Sequence, residues 1–285
     1  MALIRYPGSK AKLITAIMRW FPPDVYGRMF NQSVSYEYRE PFFGAGAVGF
    51  ELLKRLPSRC AVWLNDKDTS MAALWRAVAE QPKELCDLIN AVEPSAELFY
   101  RLKDEDGRTD LPLCSIAVRK LALHRLSYSG LGYMSGGPLG GREQSSEYNV
   151  DCRWNPETMR AEVNRLHKLL RQFDDVRITS LDFSELVSDA PTDCFTYMDP
   201  PYYEKGPQLY RYSMDQEDHA VLAMLLRKCR SEWVLSYDDH PEVRRLYSWA
   251  EIKPIEIRYV MAKAQGLTRP KNHEVVITPK GATRS

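Results

Sequence analysis

The stretch that leaves this chain the fewest folds runs from Ser35 to Asp66. A short strand-like run, SYEYRE, meets a glycine turn, PFFGAGAV, and the turn opens the helix-periodic segment GFELLKRL. After Pro57 the apolar run CAVWLND reads as a second, buried strand. Strand, glycine turn, helix and strand make a βαβ unit, and such a unit calls for a parallel sheet. Glycines at that turn let the backbone bend tightly and approach a ligand at the carboxyl edge of the sheet.

The remaining periodicities extend this frame. KAKLITAIMRWF is helical, with Leu13, Ile14, Ile17, Met18 and Phe21 on one face and Pro22-Pro23 as the stop. DTSMAALWRAV is helical as well. VRITSLDF, DCFTYMD, EWVLSYDD, IEIRYVM and HEVVITP read as strands, and SMDQEDHAVLAMLLRKC as a helix whose Ser213 and Gln216 have capping-box spacing. Between the two α/β halves lie helical segments, CSIAVRKLALHRL and PETMRAEVNRLHKLLRQF, around a long glycine-rich loop, SYSGLGYMSGGPLGGREQSSEYNVDCRW. A loop of that length within a compact domain is usually functional or disordered. The expected fold is therefore α/β: a Rossmann-like sheet with helices on both faces, built from residues 1–80 and 171–285, with an inserted, mainly helical subdomain over 81–170.

Composition removes several classes. The chain has 285 residues, 44% hydrophobic and 27% charged, with a net charge of +1, so any nucleic-acid surface must be a local patch. Residues 111–171 hold nine Lys/Arg against five Asp/Glu. No apolar run is long enough for a membrane span, and MALIRYPGSKAK lacks the apolar stretch of a secretory signal. The six cysteines form no CxxC pair, which suggests free thiols in a reducing cytosol and neither a metal nor a disulfide framework. The expectation is a soluble, cytoplasmic, nucleoid-associated protein without a metal.

Two constellations carry chemistry. In the first, Gly44, Gly46 and Gly49 match dinucleotide-fingerprint spacing, but there is no GKS/GKT ending for a phosphate loop. Asp66 closes the next strand 22 residues after Gly44, where an acid can accept hydrogen bonds from both ribose hydroxyls of a nucleoside cofactor or, alternatively, cap the helix that follows. Asp182 either meets the adenine of the same cofactor or caps the helix FSELV. In the second, an apolar strand ends on Asp199-Pro200-Pro201-Tyr202. Prolines offer acceptors and no N–H, Asp199 offers a carboxylate, and Tyr202 offers a flat face. One acceptor from Asp199 and one from the Pro200 carbonyl can hold both hydrogens of an exocyclic amino group, turning its nitrogen toward an electrophile. Catalysis would then be positioning and electrostatics. Tyr203 is either a second wall of that pocket or core.

RYPGSK, EPFFGAGAV, LND and DPPY, in that order, resemble the Dam-like (alpha-group) S-adenosylmethionine-dependent DNA adenine-N6 methyltransferases over nearly the whole chain. The resemblance implies a mixed seven-stranded sheet, S-adenosylmethionine as methyl donor and double-stranded DNA as substrate, and it admits a cognate restriction endonuclease as partner. Carried over, it places Tyr6 and Lys10 on the cofactor, Phe42, Gly44 and Gly46 around its methionine end, Asp66 on the ribose, Asp182 on its adenine, and Asp199, Pro200 and Tyr202 on the target adenine. Tyr6 stands where the family usually has tryptophan. LSYSGLGYMSGGPLGG resembles the family's recognition stretch only loosely, which leaves the target sequence open, and nothing in the sequence gives the oligomeric state.

A base within a duplex must be flipped out to reach such a pocket. The insert's candidates for DNA contact are Arg119, Lys120, Arg125, Arg142 and Arg153, with Tyr128, Tyr133 and Tyr148 to stack or wedge. Lys263–Lys271 is a second basic stretch, and Tyr210, Arg211 and Tyr212 could close over the base. Rival readings are a cytosine-N4 or RNA methyltransferase, a nicotinamide-dependent oxidoreductase suggested by the glycine turn and acid alone, and a catalytically dead DNA-binding module.

Overall fold

A computed structural model describes residues 2–5, 10, 13–22, 36–255 and 274–281. Helix α1 (Ile14–Met18) precedes β1 (Glu37–Glu40), α2 (Ala47–Leu53), β2 (Ala61–Asn65) and α3 (Thr69–Glu80). A run of helices follows: α4 (Pro82–Ala91), α5 (Ala96–Asp104), α6 (Leu113–Leu126) and α7 (Pro156–Leu170). The chain then alternates through β3 (Val176–Thr179), α8 (Phe183–Ser188), β4 (Cys194–Met198), the short α9 (Gly206–Leu209), α10 (Gln216–Lys228), β5 (Glu232–Asp238) and α11 (Pro241–Leu246). The hairpin strands β6 (Glu251–Ile255) and β7 (Glu274–Thr278) end it.

The seven strands form one mixed sheet in the order β3-β2-β1-β4-β5-β7-β6. The first five in sequence run parallel, and β7 is antiparallel to both β5 and β6. The direction of chain progression reverses between β1 and β4, and that switch point opens a crevice at the carboxyl edge. Side chains alternate across the sheet with period two. Phe195, Tyr197, Val234 and Val276 face one side, with Ile17 of α1, Leu52 of α2 and Leu74 of α3. Met198, Leu235, Tyr237 and Ile277 face the other, with Val187 of α8, Leu222 of α10 and Val243 of α11. Each fully buried Leu or Val of this set contributes about 1.5–3 kcal/mol.

The helices α4–α7 stack outside α3 and share the apolar core of the first face: Leu85, Phe99, Leu121 and Val163 join the same cluster as Val62 and Leu74. The helical region expected as an insertion thus packs as an outer layer on the sheet helices. Helix starts follow their caps. Asp68 accepts from the backbone N–H of Ser70 and Met71 to begin α3, and Asn155 accepts from Thr158 to begin α7 with Pro156 at the first position. The capping box expected of Ser213 and Gln216 is instead made by Asp215 and Asp218, two residues further on. The better acceptor sits where the chain turns helical. The strand expected over IEIRYVM begins earlier, as β6, and residues 256–261 lie outside the described residues.

Candidate active site

Asn65 closes β2 and knits three strand ends together. Its amide nitrogen donates to the carbonyls of Pro41 and Leu181, while its oxygen accepts from the Thr179 hydroxyl and the Leu181 N–H. This fixes the rim on which the crevice is built. The crevice opens on this rim, between the glycine turn and the end of β4. Its floor is the turn Phe42–Ala47, bordered by Asp66, Phe183 and Asp199, with Tyr210, Arg211 and Tyr212 at the mouth. Gly46 adopts φ +66°, and a Cβ there would lie 2.6 Å from the rings of Phe43 and Phe50, so only glycine fits. Those two rings and Trp75 pack edge-to-face beneath the turn, and Trp75 Nε1 donates to the Gly44 carbonyl at 2.8 Å.

Asp66 is held from both sides: Oδ2 accepts from Gly44 N at 2.8 Å and Oδ1 from Asp68 N at 2.9 Å. The cap of α3 is Asp68, so the carboxylate of Asp66 belongs to the crevice. Burial, followed by the neighbouring Asp68 charge, pushes its carboxyl up to about 6. Asp182 behaves differently. It caps α8 in a capping box with Glu185, pairs with Lys67 at 2.8 Å, and lies outside the crevice lining. The cap reading is the one the structure gives, and Phe183 beside it lines the crevice, 5.5 Å from Phe42 between ring centroids.

At the end of β4, Asp199 meets a buried polar set on the first face of the sheet. Lys10 Nζ lies 2.7 Å from Asp199 Oδ1, 3.4 Å from Glu274 Oε2, and 3.3 Å from the Tyr202 hydroxyl to which it donates. Burial pulls the Lys10 ammonium down, but Asp199 and Glu274 outweigh it and hold the group above its ordinary value. Ser236 Oγ donates to Asp199 Oδ1 at 2.9 Å and lies 2.8 Å from the Tyr197 hydroxyl. Tyr202 donates to Glu274 Oε1 at 2.7 Å and presents its ring to Lys10, 4.8 Å from the centroid. Pro201 lines the crevice while Pro200 is buried at the strand end. Glu40, also in the lining, accepts from Tyr38 at 2.6 Å, and burial pushes its carboxyl well above the usual range.

Tyr203 belongs to the core of the second face. Its ring stacks on His240 at 4.7 Å and tilts over His219 at 4.8 Å, and its N–H donates to Asp238. Glu274, Ser236, Tyr197 and Glu40 escaped sequence reasoning. The available signal was a polar residue inside an otherwise apolar strand, as in VLSYDD and HEVVITP. Tyr6 and the basic stretch Lys263–Lys271 lie outside the described residues.

The helical layer departs most from expectation. Arg119 is buried and donates to the carbonyls of Glu105 and Arg108 at 2.8 and 2.6 Å, closing the α5–α6 connection. Lys120 is buried against Asp68 at 2.5 Å. Arg125 reaches back to the carbonyls of Ala2 and Leu3, and burial pushes its guanidinium down to about 10. Arg153 is half-buried and donates to the Ser127 carbonyl at 3.3 Å. These four were expected to face phosphate, and the fold turns three of them wholly inward because α6 is buried on nearly every side. Arg142 is exposed, 5.2 Å from the Tyr100 ring. Tyr128 and Tyr148 are the most exposed large apolar side chains described, at 65% and 64%. Tyr133 carries Arg211 over its ring at 4.8 Å, and Arg211 pairs with Asp106 of the layer.

A mixed seven-stranded sheet with an aspartate, two prolines and a tyrosine at its switch point defines a methyltransferase-like α/β fold. Residues 6–261 match the family model of the D12 class N6 adenine-specific DNA methyltransferases, and the chain belongs to that family. It is 25% identical over 292 aligned positions to the Type II methyltransferase M1.LlaDCHI of Lactococcus lactis subsp. cremoris, covering 97% of this chain and 94% of that protein. It is 20% identical over 241 positions to the Type II methyltransferase M.MjaIII of Methanocaldococcus jannaschii, covering 79% and 78%. Adenine-specific DNA methylation is the activity this membership carries, and it sets aside the cytosine, RNA and nicotinamide readings. Among the described residues no helix is long and apolar enough to cross a membrane, and no cluster of His, Cys, Asp or Glu could hold a metal.

Proposed function

We propose that the chain transfers the methyl group of S-adenosylmethionine to N6 of an adenine flipped out of double-stranded DNA, with Asp199, the Pro200 carbonyl and Tyr202 holding the base. The observation that carries this reading is the state of Asp199. Its Oδ1 is taken by Lys10 and Ser236, while Oδ2 has no partner among the described residues, and Asp199 lines the crevice. An oxygen held in place but not satisfied suits a substrate N–H.

S-adenosylmethionine supplies an electrophilic methyl on a sulfonium sulfur, and the crevice fits it: Asp66 is an acceptor fixed by two backbone N–H groups, and the lining carries the carboxylates of Asp66, Asp68 and Asp199. Phe42 and Phe183 offer flat apolar walls for the cofactor's adenine. At the target, Asp199 and the Pro200 carbonyl each accept one amino hydrogen. The nitrogen lone pair is thereby aimed at the methyl group. Bound S-adenosylmethionine would supply the methyl group as an N–C bond replaced its C–S bond and would leave as the neutral thioether, while N6 would give up one proton to solvent. Asp199 stabilises the positive charge that develops on N6 meanwhile. Phosphate contact falls to Arg142 and the exposed tyrosines, with Arg211 and Tyr212 at the mouth. A reducing cytoplasm, close to the nucleoid, is the setting in which such an enzyme meets its substrate, and a restriction endonuclease of the same target would be its partner.

Expression in a methylation-free host, followed by genome-wide mapping of N6-methyladenine, tests this. Methylation at one short sequence is expected from the wild type. Asp199→Ala should lose it, with a drop on the order of 100- to 1000-fold in vitro, while remaining folded by circular dichroism. A near-normal rate in Asp199→Ala would sink the mechanism.

A further inference from the structure

Glu274 is the first residue of β7, at the point where that strand pairs in register with Asp238 of β5. It is a buried carboxylate, 7% exposed. Its two oxygens are divided: Oε1 takes the Tyr202 hydroxyl at 2.7 Å, and Oε2 lies 3.4 Å from the Lys10 ammonium. Lys10 is therefore bracketed by two carboxylates, Glu274 on one side and Asp199 on the other. Ser236 spends its single proton on Asp199, so the Tyr197 hydroxyl donates to Ser236, and this two-hydroxyl chain also ends on Asp199 Oδ1.

One cation facing one carboxylate would cancel its charge, in a site where charge is what the reaction needs. One cation shared by two leaves a net negative charge beside the base. Attraction at these distances is strong in a buried site, so a second carboxylate competes effectively for the ammonium. We propose that Glu274 is a positioning residue for methyl transfer: by sharing Lys10 with Asp199 it keeps the ammonium from being drawn wholly onto Asp199 and holds Asp199 Oδ2 toward the adenine amino group, while fixing the Tyr202 ring that walls the base. This rests on the methyl-transfer reading of the site. It also gives Lys10 a task beyond cofactor contact, as the fixed point around which both carboxylates are set.

Glu274→Gln is the informative variant. The side chain keeps its shape and an oxygen for the Tyr202 hydroxyl but loses its charge, and Lys10 retains Asp199. The expected result is a single-turnover rate lower by on the order of 100-fold with little change in S-adenosylhomocysteine affinity. Glu274→Asp, which restores the charge on a shorter arm, should recover part of that rate. Tyr202→Phe removes only the hydroxyl tether and should cost less than Glu274→Gln. A second readout needs no turnover: acetic anhydride labelling of Lys10 in the cofactor-free protein, across pH. Among the described residues the groups facing Lys10 are Asp199, Glu274, Tyr202 and Tyr210. Loss of one of the two carboxylates should make the amine react at lower pH.

A wild-type rate in Glu274→Gln overturns the proposal. So does an unchanged labelling profile accompanied by equal losses in Glu274→Gln and Tyr202→Phe, which would reduce Glu274 to a tether for the tyrosine. If the wild-type protein methylated no adenine, the functional reading would fall, but the labelling arm would still decide whether Glu274 holds the charge of Lys10.

Discussion

The crevice and the helical layer treat their charges in opposite ways. At the carboxyl edge of the sheet, charged side chains converge from α1's leading segment and the ends of β1, β2, β4 and β7, and among the described residues Asp199 Oδ2 has no partner. In the helical layer the cations of α6 are used up inside the protein: Arg119 on two carbonyls, Lys120 on Asp68, Arg125 on the N-terminal backbone. A basic stretch of sequence is thus no guarantee of a basic surface. α6 is buried almost all round, so its cations must find partners within the fold, and they brace the layer against the sheet domain. What the layer leaves outside is polar and charged, with three exposed aromatics, Tyr128, Tyr133 and Tyr148, and Arg142 on the same glycine-rich loop.

The sharpest way to break this contrast is at Lys120. Lys120→Met strands the buried Asp68 carboxylate, and the loss should be about 3 kcal/mol, the lower end for a broken buried pair, since Asp68 keeps two backbone N–H bonds. Urea unfolding followed by circular dichroism reads it. Adding Asp68→Ser, which keeps a helix cap, should restore most of the stability. A Lys120→Met protein that unfolds like the wild type but binds DNA with a shallower salt dependence would return Lys120 to the surface and undo the comparison.

The crevice makes the next prediction, because Asp66 is strained there by burial. Its carboxyl titrates near 6, above its ordinary 3.8. Between these values the folded state binds a proton the unfolded chain has already released. The stability Asp66 contributes is therefore full below about 3.8 and lost as pH rises through about 6. The ribose contact proposed for it runs the other way, since the charged acceptor appears as pH rises through the same value. S-adenosylhomocysteine affinity, measured by titration calorimetry from pH 5 to 7.5, should rise across that window, and Asp66→Asn should flatten the rise. A flat profile in the wild type would remove Asp66 from cofactor binding.

Where local chemistry sets position, the sequence was readable. The glycine turn had to lie between strand and helix because Gly46 needs a left-handed φ, and Asp199 had to end β4 because two prolines follow it. The parallel sheet follows from the βαβ unit, but the order of its strands and the reversal between β1 and β4 come only from the structure. Long-range polar pairing was not readable. Glu274 lies 75 residues beyond Asp199 in the chain, and only the antiparallel pairing of β7 with β5 brings the two together. The inward turn of Arg119 and Arg125 depends likewise on partners from other segments, the α5–α6 connection and residues 2–3. Asp182 shows the middle case: its cap role was local and visible, while the cofactor role carried over by resemblance found no support in the geometry.

The smallest expected effect falls on the residue that distinguishes the two regions most directly. Arg142 is exposed on the glycine-rich loop, 5.2 Å from the Tyr100 ring, and among the described residues no hydrogen bond or ion pair ties it down. If it contacts one phosphate, Arg142→Ala should lower the slope of log binding constant against log salt by about 0.9 and leave the unfolding midpoint unchanged. Fluorescence anisotropy with a labelled duplex at several salt concentrations measures this. The same substitution at Arg119 should do the reverse, shifting the unfolding midpoint and leaving the slope intact, because a cation bonded to two carbonyls in the interior releases no counterions from DNA. An equal slope change at both positions would mean that burial does not separate bracing cations from DNA-facing ones.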